Sequence, residues 1–218
     1  KAIVTTGPTR EYIDPVRYIS NESSGKQGYE IAIALNRLGI KTTLIAGPSN
    51  LVFSKDLKVK KITSADEMLS EVKKSLPVDL AVCAAAVADF KPAEKNKNKI
   101  KKGDKKLRQI NFVRNYDILE YISKNNKHRP RLVAGFSAET DKLIKNSINK
   151  IKSKHCDFIF ANDISQKDIG FNSEYNRISV IDNKGNVKVI QKNKKRFIAN
   201  KIAEILLDKL LTNDKNIN

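Results

Sequence analysis

In the stretch DLAVCAAAVA, residues 79–88, every position after Asp79 is apolar. A strand that is apolar on both faces has no side to turn to water, so it must lie inside a sheet covered above and below. LVAGFSA (132–138) and DFIFAN (157–162) have the same character, and a lysine-bearing helical stretch separates them. Upstream, AIVTT (2–6) and TTLIAG (42–47, broken by Pro48) flank a helix predicted from about Ser24 to Leu38 with Gly39 as its C-cap. LKVKKI (57–62) alternates with period two, and Ser64 with Glu67 forms a capping box for a helix running up to Pro77. This β-α rhythm predicts a mostly parallel sheet between two layers of helices. A chain of 218 residues has room for one such core.

Toward the C-terminus the rhythm changes. NRISVIDNKGNVKVI (176–190) reads as a hairpin turning at Asn183-Lys184-Gly185-Asn186, followed by a helix with Phe197, Ile198, Ile202, Ile205 and Leu206 on one face. One segment stands apart, KPAEKNKNKIKKGDKK (91–106), with eight lysines and few apolar residues. It predicts a mobile loop.

The net charge of +18 calls for anionic partners, either nucleic acid or a phosphorylated small molecule, unless it only reflects lysine-rich solvated faces. A nucleic-acid-binding α/β module would interleave aromatics among those lysines for base stacking, and the lysine segment has only Phe90 at its border. No apolar run reaches membrane-spanning length, and the chain opens in strand-like sequence without a signal-peptide pattern. Cys83 and Cys156 are isolated, as expected of two reduced thiols in a cytoplasmic protein. His128 and His155 have no triad-like company, and no metal-ligand spacing occurs.

In a parallel sheet, ligands bind where strands end and helices begin. After the first strand come GPTR (7–10) and RYISNESSGKQG (17–28). Ser23 or Ser24 can cap the helix, and Gly25 and Gly28 permit close backbone approach, which suits a phosphate. An ordinary capped helix start explains the same residues. G-x-G-x-x-G is absent, which weakens an oxidoreductase reading, and Gly25-Lys26 is followed by Gln27 where a P-loop needs Ser or Thr. Asp89 follows the small residues of 84–88 as a lone carboxylate, there to cap a turn or to serve a ligand. Phe136 in GFSAET (135–140) suits either base stacking or core packing. Lys150 and Lys154 share a helix face and either solvate it or reach one anion. Asn162-Asp163 is placed to make a turn or to hydrogen-bond a sugar or base edge.

Taken together, TTGPTREYIDPVRYISNESSGKQG (5–28), AAAVADFKPAEKNKNKIKK (84–102), GFSAET and ANDISQKDIGFNSEYN (161–176) closely resemble the signature segments of the phosphopantothenoylcysteine synthetase (phosphopantothenate–cysteine ligase) family. The likeness is collinear from about residue 2 to beyond 180, and nothing in the chain resembles the flavin-dependent decarboxylase to which bacterial members are often fused. The resemblance implies a Rossmann-like three-layer α/β sandwich with a C-terminal strand-rich dimerisation extension. It implies one ligase domain over 1–218, a dimerisation hairpin at about 172–191 and a flexible flap at about 94–107. The implied reaction joins 4'-phosphopantothenate to L-cysteine. CTP, with Mg2+, first activates the carboxylate as an acyl-cytidylate; a homodimer, and a separate decarboxylase as possible partner, go with it.

The resemblance also implies roles for particular residues. Asn21 would hold the acyl intermediate, and Lys99 would neutralise the acyl-phosphate and contact the nucleotide. Arg17 would bind the substrate phosphate, possibly from the neighbouring subunit. Gly7, Ser23, Gly25 and Gly28 would line the nucleotide phosphates. Ala84, Ala85, Ala86 and Asp89 would shape the pocket where the two substrates meet. Tyr116, Asp117, Ile118, Leu119, Phe136, Lys150, Lys154 and Asn162 would surround the nucleotide. Gln27 stands where the family commonly has Met, and Tyr116 where it often has Pro.

Overall fold

The computed structural model describes residues 1–103, 109–164 and 173–215. Its first half runs β1 (Ala2–Thr6), β2 (Arg10–Asp14), β3 (Arg17–Ser20), α1 (Lys26–Arg37), β4 (Thr42–Ala46), β5 (Lys58–Lys61), α2 (Ala65–Ser75) and β6 (Leu80–Cys83). The second half runs β7 (Phe90–Pro92), β8 (Phe112–Arg114), α3 (Ile118–Ser123), β9 (Leu132–Glu139), α4 (Leu143–Lys154), β10 (Phe158–Asp163), β11 (Tyr175–Asp182), β12 (Val187–Lys194) and α5 (Lys195–Lys215).

Eight strands form the main sheet in the order β12-β11-β10-β9-β6-β1-β4-β5. The six from β10 to β5 are parallel, and β11 and β12 close one edge antiparallel. The two-residue period of each strand sorts its side chains between two cores. Val4, Leu44, Val82, Ala134 and Phe160 face α1 and α5, meeting Ile31 and Leu35 of the one and Ile198, Ile202 and Leu206 of the other. Ile3, Ile45, Ala81, Val133 and Ile159 face α2, α3 and α4, meeting Met68, Val72, Ile122 and Ile151. The three-layer α/β sandwich expected from the sequence is the observed fold. The Ser64 cap is present too: its hydroxyl accepts from the Glu67 N–H at 3.2 Å.

Three expectations are corrected in detail. The apolar run from 79 stays in the sheet only as far as Cys83, where its pairing with β9 ends at Gly135. Beyond that point β9 turns its pairing to β10 alone, and residues 84–88 wrap over the end of β1, with Ala84 and Ala86 N–H groups on the Thr5 and Gly7 carbonyls. The helix predicted from Ser24 begins at Lys26, and its N-cap is Gly25 in the left-handed region rather than either serine. Phe197 lies outside the apolar face of α5 at 44% exposure, because the buried positions recur as Ile198, Ile202, Leu206 and Leu210, a face centred about 160° round the helix from it.

The described part of the lysine segment has a buried anchor at Ile100. β7 pairs with β8 beneath it, and Ile100 is buried, its N–H on Asp14 Oδ2 at 3.2 Å and its carbonyl on Arg17 Nη2 at 3.1 Å. Residues 104–107 of the expected flap lie outside the described residues, as does 172 of the expected hairpin. That hairpin turns where predicted, with the Gly185 N–H on the Asp182 carbonyl at 3.0 Å. Through β11 it also completes the main sheet. Among the described residues, no helix is long and apolar enough to cross a membrane.

Candidate active site

β1 leads through α1 to β4 on one side, while β6 takes up the other side of β1. At that reversal the connections leave a crevice over the C-terminal strand ends. A cleft with two lobes opens there. One lobe, of about 600 Å³, lies under residues 114–120 and α4. The other, of about 480 Å³, lies between the start of α1 and the start of α5. Ala85, Val87, Asp89, Phe136 and Lys150 border both lobes.

Most of the residues singled out from the sequence meet at this cleft. Tyr116, Asp117, Ile118, Leu119 and Lys154 line the first lobe. Asn21, Ser23, Gly25, Gly28, Ala84, Ala86 and Asn162 line the second. Gly7, Arg17 and Lys99 line neither. Gly7 backs the wall: with φ of +75° it lies against Gly25, where an added Cβ would sit 3.2 Å from the Gly7 Cα. Arg17 donates to the carbonyl of Ile100, the chain neighbour of Lys99, and stands 3.3 Å from Asp14. Burial pushes the Asp14 carboxyl up, but the Val16 and Ile100 N–H groups and the Arg17 charge together hold it below the usual range.

The start of α1 turns backbone N–H groups toward the second lobe. The first helical bond runs from the Tyr29 N–H to the Gly25 carbonyl, so the N–H groups of Lys26, Gln27 and Gly28 have no partner inside the helix. Ser23 and Ser24 hydroxyls accept from Gly25 and Lys26 at 3.2 and 3.4 Å, and Gln27 and Gly28 look into the lobe. The Thr6 hydroxyl donates to the Gly25 carbonyl at 2.6 Å and ties the helix to β1. Gly28 is a glycine because of that contact: an added Cβ would stand 2.5 Å from Thr6 Oγ1.

Asn21 donates to the Val87 carbonyl at 2.9 Å, which fixes it across from Asp89 on the loop after β6. Among the described residues the Asp89 carboxylate has no hydrogen-bond or ion-pair partner, so the capping role is not the observed one. Phe136 packs 5.4 Å from Phe160, as its core reading expects, and also borders both lobes. Asn162 lies in β10, one residue before its end, rather than making a turn, and among the described residues its Oδ1 is buried without a partner.

The paired lysines of α4 take different partners. Lys150 donates to the Phe136 carbonyl at 3.1 Å, where the lobes join. Lys154 sits between Asp117 at 3.0 Å and Glu120 at 2.8 Å. Hydrogen bonds from Lys124 and Lys154 pull the Glu120 carboxyl down to about 2. Burial pushes the Cys83 and Cys156 thiols up to about 12, so neither is a nucleophile at neutral pH.

Lys26, Asn115, Asn176 and Lys195 also line the cleft and were not picked out from the sequence. Lys195 is hidden in the lysine-rich run KNKKR (192–196), where nothing in the pattern distinguishes it. Asn176 ends the fourth signature segment, and that position was the available signal. Among the described residues, no group of three or more His, Cys, Asp or Glu could hold a metal by itself.

Comparison with known proteins gives a family. A family model described as the DNA/pantothenate metabolism flavoprotein C-terminal domain matches residues 1–210. The coenzyme A biosynthesis bifunctional protein CoaBC of Haemophilus influenzae is 38% identical over 204 residues, covering 93% of this chain and 50% of that protein. CoaBC of Escherichia coli K12 is 39% identical over 215 residues, covering 96% and 51%. The chain therefore spans about half the length of these curated relatives. A crystal structure of the C-terminal domain of CoaBC superposes with a TM-score of 0.79 at 30% identity, covering 98% of this chain and 95% of that one. A Cab2 mutant in complex with phosphopantothenate-cysteine shares the fold, with a TM-score of 0.76 at 14% identity, over 98% of this chain and 88% of the other. The chain belongs to the DNA/pantothenate metabolism flavoprotein C-terminal domain family and corresponds to the C-terminal half of CoaBC proteins, in keeping with its resemblance to phosphopantothenoylcysteine synthetase.

Proposed function

We propose that the chain is a phosphopantothenate–cysteine ligase that uses CTP. The observation that carries this reading is the joining of two lobes at Ala85, Asp89 and Lys150, which lets one anion be held against another. A carboxylate oxygen of 4'-phosphopantothenate attacks the α-phosphorus of CTP, and the bond to the bridging oxygen breaks with its electron pair leaving on pyrophosphate. The L-cysteine amine then attacks the acyl carbonyl, loses a proton and expels CMP. The two reacting anions repel each other, so the site has to supply positive charge and fixed geometry.

Lys150 supplies charge at the junction. The Gln27 and Gly28 N–H groups at the start of α1 supply oriented donors. Asn21, held by the Val87 carbonyl, orients the acyl group. Asp89 is a single carboxylate beside phosphate-binding N–H groups, a donor set that fits Mg2+ held mainly through substrate phosphates. When bound there, Mg2+ supplies neutralisation of phosphate charge.

Arg17 and Lys99 stand outside both lobes. Their roles require a second copy of the chain or a movement that brings them in. We place them in a homodimer, where the Arg17–Lys99 cluster of one copy completes the cleft of the other. The family relationship does not favour a nucleic-acid-binding role for the surplus lysines.

The test is pyrophosphate release with CTP or ATP, 4'-phosphopantothenate and L-cysteine, alongside sedimentation at micromolar concentration. Release that needs all three substrates and prefers CTP is the expected result. No release with any combination overturns the reaction, a preference for ATP overturns the nucleotide, and a monomer throughout overturns the shared site.

A further inference from the structure

The carboxylate at the turn between β2 and β3 divides its two oxygens between two tasks. Asp14 is fully buried, at 0% exposure. Its Oδ1 accepts from the Val16 and Arg17 N–H groups at 2.9 and 3.0 Å and shapes the turn itself. Its Oδ2 serves a residue 86 positions away, accepting from the Ile100 N–H at 3.2 Å, and stands 3.3 Å from Arg17 Nη1. Arg17 Nη2 donates to the Ile100 carbonyl at 3.1 Å, so both peptide groups of Ile100 end on one ion pair. The Ile100 side chain is only 5% exposed, and further back the Asn96 N–H donates to the Ile13 carbonyl at 2.9 Å. Lys97, Asn98 and Lys99, between these attachments, are exposed. A turn of this kind closes equally well around a solvated Asp or Asn, and burying a carboxylate is costly unless donors surround it. The turn alone therefore does not account for the burial of Asp14, whereas its hold on Ile100 does.

We propose that Asp14 is a positioning residue, which holds the peptide bond between Lys99 and Ile100 and thereby presents the Lys99 ammonium for the reaction. The proposal rests on the ligase reading, in which Lys99 neutralises the acyl-phosphate, and it adds a residue that lines neither lobe. The N–H that Oδ2 accepts belongs to the peptide formed by the Lys99 carbonyl, so fixing it fixes the backbone from which the lysine side chain springs. A lysine on an untethered loop spreads its charge over many positions, and that freedom must be given up before the transition state. Asn in place of Asp14 separates the two tasks. The amide keeps one oxygen for the Val16 and Arg17 N–H groups and turns its NH2 toward the Ile100 N–H and the Arg17 guanidinium, donors facing donors. The turn is kept and the lysine segment is released.

The experiment compares wild type with Asp14→Asn in two ways. Limited trypsin digestion read by mass spectrometry follows the Lys99–Ile100 bond itself, since a protease cuts a held segment only when it opens. Loss of a hydrogen bond to a charged group speeds cutting there about 10- to 100-fold in Asp14→Asn. Cutting after Lys184, in the remote β11–β12 turn, keeps its wild-type rate. Turnover is then measured as pyrophosphate release in a cycle with Lys99→Ala. Asp14→Asn lowers turnover about 10- to 100-fold when Lys99 is present. Once Lys99 is alanine, it changes turnover by less than about twofold, because the positioned group is gone. Equal losses in both backgrounds, as a merely structural role produces, overturn the proposal, and so does unchanged cutting at Lys99–Ile100. If Asp14→Asn fails to fold, Ile100→Pro, which removes the donor and leaves the carboxylate, enters the cycle with the same two outcomes. A protein that releases no pyrophosphate yet loses protection of the Lys99–Ile100 bond in Asp14→Asn sets aside the ligase reading and keeps Asp14 as the holder of Lys99. An active enzyme whose turnover is indifferent to Asp14→Asn does the reverse.

Discussion

Replacing Gly28 with alanine tests whether the start of α1 is set by packing against β1. On an isolated helix this change is favourable by about 1 kcal/mol, since alanine loses less backbone entropy. Here the new Cβ would lie 2.5 Å from Thr6 Oγ1, 2.7 Å from Thr6 Cβ and 3.2 Å from Ala84 Cβ. Ordinary carbon contacts are about 3.5–4.0 Å. Rotating Thr6 about χ1 moves its hydroxyl and breaks its bond to Gly25, at about 0.5–1.5 kcal/mol, but it does not move Thr6 Cβ. The helix must therefore back away from the strand, at about 1–3 kcal/mol for overpacking.

Set against the helix-propensity gain, the net loss is about 1–3 kcal/mol, or roughly 3–10 °C in thermal midpoint for a chain of this size. The same displacement moves the Gln27 and Gly28 N–H groups, so CTP affinity falls with stability. Thermal unfolding with CTP titration reads both effects. A double-mutant cycle with Thr6→Gly isolates the contact, with favourable coupling of about 1 kcal/mol or more. A Gly28→Ala variant as stable as wild type, or more so, refutes the packing argument.

Lys99→Ala should lower turnover by about two orders of magnitude or more with the thermal midpoint unchanged, because an exposed lysine carries charge rather than packing; near-normal pyrophosphate release would remove Lys99 from the mechanism. Asn21→Asp places a second negative charge near the acyl group and should slow cysteine transfer most, so acyl-cytidylate accumulates in mass spectra; unchanged turnover would count against its role. The folded pKa of Glu120, about 2, lies below its ordinary value of 4.5, so its pairing with Lys124 and Lys154 stabilises the protein above about pH 4.5 and is lost as pH falls toward 2. Thermal midpoints of wild type should thus drop more steeply over that interval than those of Glu120→Gln, and parallel curves would show that the pair contributes nothing.

Periodicity alone determined the layers of this protein. Runs that are apolar on both faces can be satisfied only inside a covered parallel sheet, and this local rule holds whatever the rest of the chain does. The glycines after β1 and the signature segments likewise pointed to strand ends as the site, since backbone freedom and short polar side chains are properties of the residues themselves. Tertiary structure decided where the run from 79 leaves the sheet, because Cys83 is the last residue with β9 beside it. It also decided that Gly28 yields to Thr6 and that Lys154 is claimed by Asp117 and Glu120 while Lys150 faces the cleft. Arg17 and Lys99 were set apart from the lobes in the same way, by an Ile100 anchor that no spacing reveals. Lys195 was invisible among its neighbours in 192–196 because the charge of a lysine is the same everywhere in a sequence. Only the fold buries one ammonium beside another.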